Sequence, residues 1–211
     1  MLVSICVATY KRPAGLSRLL EGLDRLSFQT LDAPRIEVIV VDNEAAGAAA
    51  AVCKRLEASF RWTLRCDDEP RRGITYARNR GLELANPKGE YIAFIDDDEV
   101  PDPRWLEELM LARERHEADI VSGPVAPRFE SPPPDWVTRG GFFEARQAPE
   151  GQPLGVAFTN NVLLRAAVPR EMNRAFDHRF ALTGGEDTDF FMRARKAGYR
   201  MVWTQRALVY E

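Results

Sequence analysis

The chain has 211 residues, 45% of them apolar, and a formal net charge of −3 from 29 basic and 32 acidic side chains. That length suits one compact domain, or one domain with an added lobe. The charges are interspersed with no basic stripe, which gives no support for a nucleic-acid-binding protein.

Residues 2–10, LVSICVATY, are rich in β-branched side chains and read as a buried strand. Lys11, Arg12 and Pro13 end it, and they also break the pattern of a signal peptide. Residues 15–26 follow with Leu16, Leu19, Leu20 and Leu23 at helical spacing. IEVIVVD (36–42) is a second buried strand, and the Ala-rich stretch from Ala45 to Phe60 a second helix. Residues 62–66 predict a third strand, 74–85 a third helix and YIAFID (91–96) a fourth strand. Asp102 then caps a helix opening at Pro103, with Trp105, Leu106, Leu109 and Met110 facing inward. DIVSGPV (119–125) reads as another strand. Residues 124–155 are rich in Pro, Gly and aromatics without a period, as a functional loop or lid would be. Residues 156–165 return to strand composition, 183–198 form a helix with a glycine at its end, and 200–211 supply one or two strands.

Near-continuous apolar strands between helices imply an α/β fold, a mostly parallel central sheet with helices on both faces. Such sheets bind ligands at the carboxyl ends of their strands. Three strands end in polar groups: Thr9-Tyr10, Asp42-Asn43 and Asp96-Asp97-Asp98. Cys6, Cys53 and Cys66 are odd in number and lack CxxC spacing, so reduced thiols of a cytoplasmic protein are expected. No stretch reaches the length of a membrane span.

Four constellations carry chemistry. In IDDDEV (95–100), carboxylates ~5 Å apart repel by roughly 3 kcal/mol at an effective dielectric of 20. The cluster is either a solvated acidic turn or an oxygen site for Mg²⁺ or Mn²⁺, through which a diphosphate can be held. In TGGED (183–187), Thr183 and Glu186 have capping-box spacing. Alternatively the helix start presents a general base, with Glu186 serving the cap and Asp187 in a cleft. Tyr10 and Asp42 are ordinary strand ends, or a nucleobase stack and its hydrogen-bond acceptor. Arg71, Arg72 and Arg78 around Gly73 form a solvated helix surface, or meet phosphates. His116 reads as solvated, His178 as a surface or cleft residue, and Trp136 as a loop anchor or a platform for a sugar ring.

Taken in order, VSICVATYKRP, IEVIVVDNE, GITYARNRGLELA, GEYIAFIDDDEVPDPRWLEEL, FTNNVLLRA and GGEDTDFFMRARKAGYR resemble the family 2 glycosyltransferases over nearly the whole chain. The last motifs look most like transferases that build bacterial exopolysaccharide or lipopolysaccharide. The resemblance implies a single GT-A domain over 1–211, with 1–123 binding a nucleotide-sugar and 124–211 facing the acceptor. Ala8, Tyr10, Arg12, Asp42, Arg72, Arg78, Asp96 and Asp97 would hold the donor, Asp98 the metal. Asp187, beside Glu186, would deprotonate the acceptor hydroxyl. The donor would be a UDP-sugar and the acceptor a glycan or lipid-linked hydroxyl. Transfer would invert the anomeric carbon, in the cytoplasm or at the inner face of the membrane. Two alternatives stay open: a sugar nucleotidyltransferase, although ATYKRPAG is a poor Gly-rich basic loop, and a non-catalytic nucleotide-sugar-binding protein. DNEAAG replaces the DGS-type turn common after the second strand, leaving base contacts beyond Asp42 unassigned.

Overall fold

The computed structural model describes every residue except 45, 46, 130, 142, 144, 146, 173 and 174. The chain runs β1 (Leu2–Thr9), α1 (Pro13–Asp24), β2 (Arg35–Asp42), α2 (Ala48–Glu57), β3 (Thr63–Asp68), α3 (Ile74–Leu84) and β4 (Tyr91–Ile95). Then come β5 (Val100–Pro101), α4 (Trp105–His116), β6 (Ile120–Ser122), β7 (Val125–Ala126) and α5 (Asp135–Gly140). β8 (Asn161–Arg165), α6 (Ala167–Glu171), a 3-10 turn at His178–Phe180, α7 (Glu186–Lys196), β9 (Met201–Trp203) and β10 (Val209–Tyr210) complete it.

Seven strands form the main sheet in the order β3-β2-β1-β4-β8-β6-β9. All pairings are parallel except those of β8, which runs antiparallel to both neighbours. Alternate strand residues feed two cores. Val3, Ile5, Val7, Val38, Val40 and Ile95 pack against the leucines of α1 and the inner face of α4. Cys6, Ile39, Val41, Phe94 and Val162 pack on the other face against α3 and Phe190 and Phe191 of α7. The expected sheet with helices on both faces is present. So are the inward Trp105, Leu106, Leu109 and Met110, all buried.

The departures are local. The expected strand 119–125 divides at Gly123-Pro124: β6 stays in the main sheet, while β7 joins a small sheet in the order β5-β10-β7. A Cβ on Gly123 would lie 2.3 Å from the Ala207 carbonyl, so that close crossing needs glycine. Of the expected strand 156–165, only Asn161–Arg165 is paired. The stretch 124–155 holds β7 and the short helix α5, although residues 130, 142, 144 and 146 lie outside the described set. α2 starts at Ala48, and Ala45 and Ala46 are likewise undescribed. Asp102 does serve the start of α4, accepting from Arg104 N–H at 2.9 Å, but the helix proper begins at Trp105.

Two buried polar groups tie these parts together. Asn161 accepts from Trp105 Nε1 at 2.8 Å and donates to the carbonyls of Pro124 and Ala207 at 2.9 and 2.7 Å. Glu107 Oε1 accepts from the backbone N–H groups of Gln29, Thr30 and Leu31 at 2.7, 2.6 and 3.0 Å, and Oε2 accepts from Arg104 Nε at 3.0 Å. Burial alone would raise the Glu107 pKa, but these donors outweigh it and bring it from 4.5 to about 2.

A depressed folded-state pKa means that the carboxylate stabilises the fold above the unfolded-state value, and that this is lost as pH falls towards the folded one. Glu107→Gln should therefore cost on the order of 2 kcal/mol at neutral pH, the difference between a charged and a neutral buried acceptor for three backbone amides. In urea titrations the gap between wild type and variant should close between pH 4.5 and about 2.

Candidate active site

A cleft of about 460 Å³ opens at the carboxyl ends of β1, β2 and β4. The end of β1 contributes Ala8, Thr9, Tyr10 and Arg12, and the end of β2 contributes Asn43. The start of α3 contributes Arg72, Gly73 and Arg78, and the turn after β4 contributes Asp96 and Asp97. Ala181 and Leu182, just before α7, complete the wall.

The acidic turn is held from two sides. Asp97 is 5% exposed; its Oδ2 accepts from Thr9 Oγ1 at 2.6 Å and its Oδ1 from Arg12 at 3.2 Å. The same Arg12 nitrogen pairs with Asp98. Arg78 approaches Asp96 Oδ1 at 3.4 Å. Burial pushes both Asp96 and Asp97 upward, against the pull of Arg78 on the first and of Thr9 and Arg12 on the second. Glu99 differs from the aspartates. Burial, and then the charge of Asp96, push it up to about 10, so it is neutral at pH 7 while its Oε2 accepts from Asp96 N–H. Of the four acids in the run, Glu99 is therefore the one held neutral inside the fold. α1 lies hard against this turn, since a Cβ on Gly15 would sit 2.7 Å from the Asp97 carbonyl.

The backbone at Lys11 has φ +59°, a left-handed turn directly before Arg12. Its ammonium lies 5.2 Å from the centre of the Tyr10 ring and 3.5 Å from Glu44. Tyr10, 41% exposed, stands on the cleft wall.

Across the cleft, Gly184 and Gly185 both take positive φ, and Gly185 is the residue before α7. The capping box does not form. The Thr183 hydroxyl donates to the Gly184 carbonyl at 3.3 Å, and Glu186 is drawn into a buried ion pair with Arg78. The pair satisfies Glu186 Oε1 but leaves Oε2 buried without a partner among the described residues. A local cap is a weaker attraction than a guanidinium within reach of a buried carboxylate. Asp187 is half-buried in the first turn, its Oδ1 accepting from Thr188 N–H at 2.6 Å; it follows Glu186 but is not on the cleft wall.

Asp42 also lies behind the wall. It is 2% exposed and accepts from the N–H groups of Glu44 and Ala49 at 2.9 and 3.1 Å, which joins β2 to α2. Asn43 takes the wall position instead. Its amide donates to the carbonyls of Glu69 and Arg71, and its oxygen accepts from Gly73 N–H. The sequence marks Thr9 and Asn43 only as polar strand ends, because the contacts that give them their places are long-range. Of the arginines, Arg71 pairs with Glu69 and covers the Tyr76 ring, while Arg72 makes no ion pair among the described residues. His178 stacks on Tyr76, His116 lies 3.7 Å from Glu150, and Trp136 is 66% exposed on α5, outside the cleft.

Among the described residues no three acidic, thiol or imidazole groups converge to hold a cation by themselves. Oxygen donors of Asp96 and Asp98 type suit Mg²⁺ or Mn²⁺ when a ligand's phosphates supply the remaining positions.

The family model described as glycosyl transferase family 2 matches residues 4–171. The chain belongs to that family. Among curated relatives, succinoglycan biosynthesis protein ExoM of Rhizobium meliloti (strain 1021) is 31% identical over 209 residues, covering 99% of this chain and 66% of that protein. A glucosyl-dolichyl phosphate glucuronosyltransferase of Haloferax volcanii is 34% identical over 146 residues, covering 66% of this chain and 41% of its own length. The chain thus spans two thirds or less of these relatives. S. aureus TarS 1-349 in complex with UDP-GlcNAc superposes with a TM-score of 0.76 at 18% identity, covering all of this chain and 58% of TarS. Mannosyltransferase PcManGT of Pyrobaculum calidifontis, in complex with GDP-Man and Mn²⁺, gives 0.73 at 20% identity, covering 99% and 56%. At those identities the likeness establishes architecture: the family 2 chain has the GT-A fold.

Because Arg78 and Glu186 are both buried, removing either strands a charge. Arg78→Gln in this family 2 chain should cost about 3–5 kcal/mol, and adding Glu186→Gln should recover most of it. Urea unfolding of the two single variants and the double variant reads the coupling directly.

Proposed function

We propose that the protein is an inverting glycosyltransferase that moves a sugar from a UDP-sugar to a hydroxyl of a glycan or lipid-linked acceptor. The observation that carries this reading is the cleft itself, where Asp96 and Asp97 line the same wall as Arg12, Arg72 and Arg78 at the carboxyl edge of a GT-A sheet, with Asp98, next in the turn, paired to Arg12. Tyr10 lies against the nucleobase, Asp96 hydrogen-bonds the ribose or the donor sugar, and Arg12, Arg72 and Arg78 meet the diphosphate. Ala8 and Asp97 shape that donor pocket. Asp98 holds Mg²⁺ or Mn²⁺, which when bound neutralises the departing diphosphate. Asp42 supports the base-binding edge through the β2–α2 connection it caps, and reaches the base only if that connection moves.

Asp187 takes the proton of the acceptor hydroxyl as its oxygen attacks the anomeric carbon and the bond to the diphosphate oxygen breaks. Glu186 positions it through the Arg78 pair. Residues 124–211 supply the acceptor side, and the whole chain acts as a single domain in the cytoplasm, against the inner face of the membrane. No helix among the described residues is long and apolar enough to cross a membrane. The names of two bacterial relatives, succinoglycan biosynthesis protein ExoM and minor teichoic acid biosynthesis protein GgaB of Bacillus subtilis, 27% identical over 109 residues, support an envelope or secreted polysaccharide as the product.

Calorimetric titration of UDP with and without Mn²⁺ tests the donor site. Mn²⁺ should strengthen binding, and Asp98→Ala should weaken it only when metal is present; an equal loss without metal would remove that role. Asp187→Asn should lower transfer by 10²-fold or more, roughly the worth of a general base, with UDP affinity kept within about 2-fold. Equal loss of both would make Asp187 structural.

A further inference from the structure

Arg12 is placed with unusual care for a half-exposed arginine. Lys11, in the left-handed region and paired with Glu44, sets the backbone before it, and Pro13 opens α1 directly after it. Its Nη1 spans two carboxylates of unequal character. Asp97 is almost wholly buried and is pinned by Thr9, whereas the Asp98 side chain is 29% exposed and has no other partner among the described residues. The Arg12 side chain itself is 56% exposed. One arm of the bridge is therefore anchored and the other is free to release. A guanidinium and a divalent cation seek the same oxygens, and each raises the cost of the other through like-charge repulsion.

We propose that Arg12 is the resident counter-cation of the acidic turn and that a divalent cation has to compete with it for Asp98. This rests on the reading of Asp98 as the metal-facing carboxylate. Arg12 holds Asp98 against a bare cation. It yields when phosphate oxygens add to the cation's ligands, while its contact with Asp97 keeps the guanidinium beside the cleft. The residue thereby makes metal uptake conditional on the nucleotide.

The test is Mn²⁺ titrated alone into the full chain, with free Mn²⁺ read by electron paramagnetic resonance. Arg12→Gln should bind Mn²⁺ about 10-fold tighter than wild type, since the competing charge and its hydrogen bonds are gone. Arg72→Gln removes the same charge from the same wall without touching Asp98, and should change affinity less than about 2-fold. Arg12→Gln combined with Asp98→Asn should lose the gain. Should Arg12→Gln fail to fold by thermal unfolding, Arg12→Lys serves: it keeps the positive charge but has a shorter reach than the guanidinium, and a smaller gain is expected. No gain in the folded Arg12 variant, or an equal gain in Arg72→Gln, overturns the proposal. The underlying reading fails differently: Asp98→Asn would then leave Mn²⁺ binding in the presence of UDP unchanged.

Discussion

Three carboxylates at the end of a buried strand repel one another, and the structure around them is arranged to make that tolerable. The neutralising groups come from separate elements: Arg12 from the β1–α1 junction, Arg78 from α3, and the hydroxyl of Thr9 from the last position of β1. The fourth acid, Glu99, adds no charge because burial keeps it protonated. Arg78 also pairs with Glu186, so the compensation extends to the start of α7. Ionic contacts thus link the acidic turn to the β1–α1 junction, α3 and α7, in addition to the apolar packing of those helices. A buried pair of this kind adds little net stability, yet breaking it is expensive. That asymmetry makes the arrangement specific.

Much of the architecture was legible because it is written in local periodicity. The apolar runs in 2–10, 36–42 and 91–96 and the leucine spacing in 15–26 each mark an element that the fold keeps. What could not be read is non-local. Nothing in NVLLR says that it inserts antiparallel between β4 and β6, and the two-residue strands β5, β7 and β10 are too short to have a period.

At the site, residue types were legible and their partners were not. Thr183 and Glu186 have the spacing of a cap, but a distant arginine outbids the local bond. Asp42 ends a strand where ligands bind, yet two amides of its own connection claim both oxygens and turn it inward, and Asn43 takes the wall. Conversely, Gly15 carries no reading of its own in the sequence, and Gly73 is read only with the neighbouring arginines. Both prove to be points of close approach, to the Asp97 carbonyl and to Ala181 respectively.

The antiparallel strand β8 also bears on how the chain is made. β1 to β4 follow one another in sequence and can assemble as they leave the ribosome. The outer edge of β4 then waits for β8, about seventy residues downstream on the order of the whole intervening α4–α5 segment, since β6 emerges earlier but pairs with β8 instead. During that interval β4, with its apolar YIAFI sequence, is an unpaired edge. The acidic residues 96–98 directly follow that edge, and charges flanking an apolar strand disfavour intermolecular pairing.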